Sequence, residues 1–246
     1  VQEKDFALAK MTGIEEDEHL WMLFEMQRYY ILSGQYQKAE YIEKSREKIF
    51  SDRESIRLHF YQPVRPYHSL AESYNFAHRY KKAIQSYRDA LKLNQNDFNA
   101  LLNLGYLYPT IGGYAEAIEV LEKAVQIRPN SREAYFRLAE ANSRAGNYAQ
   151  AIEYYKIYLK FDSSSFSVYC LLGDNYQLNK DYVQAIECYE NALKLKPDLA
   201  EAYSKLGGIY QAQGDYAKAT TCLTKAIYLD HLAVEPYFAL AAIYQA

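Results

Sequence analysis

A period of 34 residues constrains this chain more than any other feature of its sequence. The copy that spans 166–199 aligns without a gap on the copy that spans 200–233. The residues shared by the two copies are Tyr169, Leu172, Gly173, Tyr176, Tyr182, Ala185 and Ala192, which recur as Tyr203, Leu206, Gly207, Tyr210, Tyr216, Ala219 and Ala226. A fixed period of this size predicts a stack of small units, each of which buries its apolar face against its neighbours.

The same register divides most of the chain. Complete copies cover 64–97, 98–131, 132–165, 166–199 and 200–233, a degenerate first copy covers 20–53, and 234–246 supplies the first helix of a further copy. Residues 54–63 interrupt the register, and we expect a longer helix or a short extra turn there. Residues 1–19 precede the first copy, and their pattern predicts a short helix from Glu3 to about Met11, ended by Gly13.

Each copy is predicted to contain two helices of about 13 residues, a common helix length. Turns such as Gly146–Asn147 and Gly214–Asp215 separate them. Glycine favours such turns because it adopts the positive φ that closes a helix. Pro129 and Pro197 follow the second helices and prevent their continuation. The sequence therefore predicts an all-α fold of helix pairs.

The residues at fixed slots also carry a family resemblance. Aromatic, Leu-Gly, Tyr, Ala, aromatic, Ala and Pro follow one another in the copy that reads Tyr169, Leu172, Gly173, Tyr176, Tyr182, Ala185, Tyr189, Ala192 and Pro197. This pattern resembles the tetratricopeptide repeat signature, and the resemblance covers about 20–246 with one interruption. It implies a right-handed superhelical solenoid of antiparallel helix pairs, whose first helices line a concave groove.

Composition excludes several classes of function. The net charge is −3, with acids and bases interspersed, so no nucleic-acid partner is expected. No apolar run has the roughly 18 residues of a membrane span, so no membrane insertion is expected. Three cysteines without a CxxC pair favour neither a disulfide framework nor a zinc site, and fit a reducing, cytoplasmic location. Most of the 27 tyrosines occupy framework slots, which removes the case for an aromatic stacking platform.

The resemblance assigns certain slots of the first helices to the groove. The helix-pair framework does not demand particular side chains there, so these are the residues that a partner could read. The residues that we expect to contact a partner are Phe24, Arg28, Arg65, His68, Glu72, Asn75, Asn103, Tyr106, Phe136, Arg137, Glu140, Asp174 and Gln177. Exposed aromatic rings and charges of both signs suit an extended peptide or an amphipathic helix.

Two known binding modes of the family do not fit. In the carboxylate clamp for peptide C termini, Asn103 and Arg137 match, but His68, Glu72 and Glu133 replace the required groups. The asparagine ladder of the sugar-transferase arrays is represented here by Asn103 alone. We therefore expect neither mode.

The search for catalytic residues gives three pairs with a spacing of four residues. They are His68 with Glu72, Cys170 with Asp174, and His231 with Glu235. No HExxH, GxSxG, phosphate-binding loop or histidine cluster accompanies them, so chance pairing on helix surfaces explains them better than chemistry does. We expect no enzymatic activity, no cofactor and no bound metal.

The sequence thus predicts a non-catalytic protein–protein interaction scaffold that holds a peptide segment or a helix in its groove. On this hypothesis, Phe136→Ala with Arg137→Ala abolishes partner capture without changing the melting temperature. Alternatives are a sensor or regulatory region of a larger multidomain protein, which the non-Met start and the final half copy suggest, and a self-assembling scaffold. The self-assembly alternative rests on Leu240, Ala241 and Tyr244, an apolar stripe that could join copies into a homo-oligomer.

Overall fold

A computed structural model describes residues 16–53 and 64–245 of the chain. The helix predicted from Glu3 to Met11 and the longer helix or extra turn predicted for 54–63 lie outside these residues. The described part contains thirteen α-helices, one short 3₁₀ turn and no strand. The all-α repeat fold predicted from the sequence is therefore confirmed.

The helices alternate between the first and second members of each pair. In chain order they are α1 (Glu16–Leu32), α2 (Tyr36–Arg53), α3 (Val64–Phe76), α4 (Tyr80–Leu93), α5 (Phe98–Leu107), α6 (Tyr114–Ile127), α7 (Arg132–Arg144), α8 (Tyr148–Phe161), α9 (Phe166–Leu178), α10 (Tyr182–Leu195), α11 (Ala200–Ala212), α12 (Tyr216–Leu229) and α13 (Val234–Gln245). The chain divides into two compact units, of which the first ends at Arg128 and the second begins at Pro129. The first unit contains α1 to α6 and the second contains α7 to α13.

Short turns of one recurring geometry join the two helices of a pair. In the turn from α7 to α8, Gly146 has φ 82°, and the amide of Asn147 donates to the carbonyl of Asn142 at 2.9 Å. This bond and the one from the Gly146 amide to Ser143 close the end of α7. Because so few residues connect the helices, the two members of each pair run antiparallel and pack side by side.

Two of these turns place a residue other than glycine in the left-handed region. His78 has φ 56° and Lys180 has φ 65°, at the slot that Gly146 occupies in its own copy. A side chain with a Cβ in this region costs about 1–2 kcal/mol relative to glycine.

Lys180→Gly is accordingly expected to raise the free energy of unfolding by about 1 kcal/mol, since it removes that strain. Urea denaturation followed by circular dichroism measures the change. Lys225→Gly, within α12, is the matched control and is expected to lower stability by about 1 kcal/mol, because glycine disfavours an ordinary helical position. A loss of stability in Lys180→Gly would contradict the assignment of strain to this turn.

The third copy keeps this turn but differs in the end of the helix that precedes it. Its first helix, α5, ends at Leu107, and Tyr108–Ile111 form a 3₁₀ turn that contains Pro109. Proline has no amide hydrogen, so Pro109 cannot continue the α-helical bonding pattern to the carbonyl of Gly105. Gly112, with φ 80°, then closes the segment before α6.

Small residues bring the members of a pair close together. A Cβ built on Gly105 would lie 2.4 Å from the side chain of Leu121, and one built on Gly207 would lie 2.6 Å from that of Leu223. These distances are far below van der Waals contact, so the glycines set the spacing between the first and second helix. The corresponding slots in the second and fourth copies hold Ala71 and Ala139, both fully buried.

The first copy is packed differently, through polar groups. Gln27 stands where the later copies have Gly or Ala, is fully buried, and donates through Nε2 to the Tyr74 hydroxyl at 2.8 Å. Glu43 on α2 accepts a bond from the Lys82 Nζ atom on α4 at 2.6 Å. Arg46 is also buried, and its desolvation lowers the pKa of its guanidinium. Polar contacts thus join the first copy to the second.

The core of the second unit is continuous along α7 to α11. Its members include Ala139, Tyr155, Leu172, Tyr189 and Leu206, with Phe136, Cys170 and Cys222 packed at its edge. Tyr155 and Tyr189 are 1% exposed. The tyrosines at these framework slots are therefore structural, as predicted.

Candidate functional site

The surface that the resemblance assigned to binding is formed by the first helices of each unit. In the second unit these are α7, α9, α11 and α13. We call the solvent-accessible surface formed by α7, α9 and α11 the first-helix face. It is defined by the exposed or half-buried residues Glu133, Arg137, Glu140, Asp174, Gln177, Glu201, Lys205 and Gly208.

Phe24 does not lie on an open surface, and its predicted exposure is corrected. Its ring is 4% exposed and meets the ring of Tyr67 edge to face, with centroids 4.9 Å apart. The guanidinium of Arg46 lies 4.1 Å from the centroid of the same ring. Because α1 packs against α3, this slot faces the next copy rather than solvent. Phe24 therefore belongs to the polar and aromatic packing of the first copy.

His68 occupies the same slot one copy later and is also engaged. Its Nε2 atom lies 2.8 Å from Asp97 Oδ2, and its ring packs edge to face on Tyr87. Oδ1 of Asp97 accepts bonds from the amides of Asn99 and Ala100 and so caps α5. His68 thus connects α3 to the start of α5, and its partner is Asp97 rather than the Glu72 that the sequence spacing suggested.

The other predicted residues of the first unit are distributed along α1, α3 and α5. Arg28 pairs with Glu25 at 3.4 Å, and Asn103 donates to the carbonyl of Asn99 at 2.9 Å. Arg65, Glu72 and Tyr106 are exposed, and Asn75 is half-buried. Phe24 and His68 are thus engaged in packing, while the remaining residues lie at least partly open to solvent on the first helices.

Phe136 in the second unit is half-buried. Its ring centroid lies 6.1 Å from that of Tyr155 and 5.6 Å from that of Tyr158, both on α8. Truncating Phe136 would remove core packing, so the combined Phe136→Ala and Arg137→Ala change is expected to lower the melting temperature as well as any binding. The neighbouring Arg137 pairs with Glu133 at 2.7 Å, and Glu140 pairs with Arg144 at 3.3 Å.

Asp174 is the centre of a network that joins two first helices. The Tyr189 hydroxyl donates to Asp174 Oδ1 at 2.7 Å and approaches Gln177 Oε1 at 3.3 Å. Lys205 on α11 reaches across to Asp174 Oδ1 at 2.9 Å. Tyr189 passes close to Gly173, where a Cβ would lie 2.9 Å from its ring. The close approach at Gly173 therefore lets a buried tyrosine on a second helix position a carboxylate on the first-helix face.

The three cysteines are free and suited to packing rather than chemistry. Burial raises the pKa of the Cys170 thiol to about 11 and that of Cys188 to about 12, and it also raises the pKa of Cys222. A thiol must ionise to act as a nucleophile, so these residues are poor nucleophiles at neutral pH. Carboxylates at Glu201 and Asp174 add to the shift at Cys170, which places both near that thiol.

Neither a metal centre nor a membrane span is found among the residues that the structure describes. No three His, Cys, Asp or Glu side chains within 16–53 and 64–245 converge to hold an ion. Over the same residues, no helix combines the length and apolar character needed to cross a bilayer.

The last helix exposes several apolar side chains. Phe238 and Tyr244 on α13 are largely exposed, as is Leu232 just before it. Of the stripe predicted from the sequence, Tyr244 and Ala241 are exposed and Leu240 is half-buried. Association into a homo-oligomer through this helix, and a regulatory role within a larger protein, stay predictions.

Two features of the first helices were not predicted from the sequence. Asp97 was not recognised as the partner of His68, although an Asp directly before a helix signals a cap. Gly208 was passed over because it follows the framework residue Gly207 in an otherwise regular helix. Its only sequence signal was the cost of a second glycine within a helix.

Comparison with known proteins agrees with this architecture. Sequence models described as TPR repeat match 78–112 and 173–214, and others described as tetratricopeptide repeat match 112–165 and 200–231. A search of curated protein sequences finds no significant match.

Solved structures with the same fold include MamA and YrrB. A crystal structure of MamA is 28% identical and covers 70% of this chain and 97% of its own, with a TM-score of 0.63. MamA from Desulfovibrio magneticus RS-1 is 21% identical, over 68% of this chain and 95% of its own, with a TM-score of 0.65. YrrB, described as a TPR protein with an unusual peptide-binding site, is 18% identical over 77% of this chain and 96% of its own, with a TM-score of 0.65. The repeat matches and these neighbours support a protein-interaction scaffold, and the chain belongs to the tetratricopeptide repeat family.

Proposed function

We propose that the first-helix face of the second unit binds an extended peptide segment of a protein partner. The observation that carries this proposal is the network of Tyr189, Asp174 and Lys205. It fixes charged groups on α9 and α11 in an outward position, with the Lys205 and Asp174 side chains 40% and 29% exposed. The buried Tyr189 hydroxyl needs an acceptor, which accounts for Asp174. The exposed pairing of Lys205 with Asp174 contributes little to stability, so we assign it to recognition.

Charges held in place before binding favour recognition of a peptide. A bound chain then loses less energy to ordering the protein side chains, and its own charges can be matched to a fixed pattern. The ion pairs of Glu133 with Arg137 and of Glu140 with Arg144 extend the pattern along α7. YrrB, whose description includes a peptide-binding site, has the same fold, although its low identity supports only the fold.

The experiment is a selection of random peptides, about twelve residues long, displayed on phage and captured by the full chain. The strongest binders are then measured as synthetic peptides by fluorescence polarisation. We expect Asp174→Asn combined with Lys205→Met to weaken binding at least about tenfold, about 1.4 kcal/mol. These changes keep the shape of both side chains and an acceptor for Tyr189, so the fold should persist.

The matched control is Glu187→Gln with Lys225→Met, which makes the same charge changes on the second helices α10 and α12. Binding by this control variant should equal that of the wild type. Equal loss in both variants, or no selected peptide at all, would overturn the proposal that this face is the binding surface.

A further inference from the structure

Gly208 has no structural reason to be glycine. It lies within α11, is exposed, and adopts ordinary helical backbone angles, so no positive φ requires it. A Cβ built on it meets no atom of residues 16–53 or 64–245 within 4 Å, whereas one built on the preceding Gly207 would lie 2.6 Å from Leu223. Glycine inside a helix costs about 1 kcal/mol relative to alanine. At Gly208 no packing gain within the protein offsets this cost.

The first-helix face is therefore bare at this point. Gly208 follows Lys205 by three residues and Ser204 by four, so the three lie on one side of α11. In the preceding copies of the second unit the same slot holds Glu140 and Asp174, whose side chains project from α7 and α9. Beside the Asp174–Lys205 pair, the absence of a side chain at Gly208 leaves the backbone of α11 open to direct approach.

The charged groups around this open position carry an excess of negative charge. Asp174 is paired with Lys205, while Glu201 lies two turns before Gly208 on α11 and is exposed. Glu201 and Asp174 both act to raise the pKa of the half-buried Cys170 thiol, so both carboxylates lie near this residue of α9. Asp174, Glu201 and Lys205 thus contribute two negative charges and one positive charge to this part of the surface. Glu235 repeats the Glu201 slot on α13, which packs beside α11, and is also exposed.

We propose that the open backbone at Gly208 is the seat of a basic side chain, arginine or lysine, of the bound peptide. The aliphatic part of that side chain lies over Gly208 and Ser204, and its cationic head group is matched by the surplus carboxylate of Glu201 and Asp174. This inference rests on the proposed function, because it specifies which residue of a peptide the first-helix face selects. Charge complementarity favours a cation, and the missing side chain provides the room.

The same peptide selection tests it. Peptides captured by the wild-type chain should be enriched in arginine or lysine at one position, and alanine at that position should weaken binding about tenfold. Gly208→Leu should weaken the parent peptide by a similar factor, because it fills the seat while leucine keeps the helix. Against Gly208→Leu, the basic and alanine peptides should bind within about twofold of each other, since the two changes remove one interaction.

Two controls separate this result from a folding defect or a general charge effect. Gly208→Leu should be at least as stable as the wild type in urea, because the added Cβ meets no described atom within 4 Å and leucine favours the helix more than glycine does. Glu201→Lys should weaken the basic peptide, while Glu187→Lys on α10, with the same change in charge, should not.

The outcomes distinguish the two proposals. Peptides that bind through Asp174 and Lys205 but show no basic enrichment would overturn the seat and leave the proposed function standing. The same holds if Gly208→Leu and the alanine peptide weaken binding additively. If no peptide is captured, the binding surface and its seat fail together.

Discussion

Gly207→Ala is expected to lower the free energy of unfolding by about 2 kcal/mol, while Gly208→Ala raises it by up to about 1 kcal/mol. The new methyl group at position 207 would lie 2.6 Å from Leu223 Cγ and 3.4 Å from the Ala219 carbonyl oxygen. Those atoms belong to α12, so α11 and α12 must separate or Leu223 must leave its rotamer. At position 208 the same methyl meets nothing, and the helix gains the propensity of alanine.

Urea denaturation of the two single variants measures this contrast directly, since they differ only in which of two adjacent glycines carries the methyl group. Adding Leu223→Ala to Gly207→Ala tests the cause. The two losses should be less than additive, because removing the leucine side chain relieves the clash. Equal stability of the Gly207→Ala and Gly208→Ala proteins would show that close packing at Gly207 does not set the spacing of this pair.

The free energy of unfolding is expected to fall at alkaline pH. Burial raises the pKa of Cys188 to about 12, of Cys170 to about 11 and of Tyr74 to about 12. The folded chain therefore keeps these protons when the unfolded chain has begun to lose them, near pH 9 for a thiol and pH 10 for a phenol. The stabilisation is complete below those values and is lost as pH rises towards 11 and 12.

The loss is at most about 1.4 kcal/mol per pH unit for each proton that the folded chain retains. Urea midpoints between pH 7 and 11 should fall steadily above pH 9. Cys188→Ala should make that fall shallower, whatever it does to stability at pH 7. Val183→Ala, at an exposed side chain on α10 that has no ionisable group, serves as the control and should leave the slope unchanged. A slope that Cys188→Ala does not alter would remove this thiol from the explanation.

The repeat fold could be predicted from the sequence because its framework residues recur every 34 residues. Leu206, Gly207 and Ala219 identify the same contacts as their counterparts in the preceding copies, so one well-formed copy predicts the others. Departures occur where a copy breaks the rule locally. Pro109 replaces helix by a 3₁₀ turn, and Lys180 occupies a position where most copies have glycine.

The candidate site was harder to predict from the sequence because its slots serve either packing or binding. Phe24 and His68 occupy the same slot in successive copies, and this slot faces the following copy. Their side chains therefore pack against neighbouring residues, although the register alone assigns them to a groove. The partner of each depends on residues distant in sequence, Arg46 and Asp97, and periodicity carries no information about such pairs. The role of Gly208 could not be predicted from the sequence for another reason. A missing side chain can be interpreted only when the space around it is known.

The polar packing of the first copy has a consequence for the order in which the copies assemble. Copies that meet through leucine, alanine and tyrosine present nearly interchangeable faces, so alternative neighbours compete with the correct one. Gln27 donates through Nε2 to Tyr74, and Glu43 accepts a bond from Lys82, so both contacts depend on the second copy. A neighbour without these groups would leave the buried Gln27 amide without its acceptor, at a cost of about 1–3 kcal/mol, and would remove the ion pair of the half-buried Glu43. The polar contacts at this junction thus make the pairing of the first copy (α1 and α2) with the second copy (α3 and α4) specific.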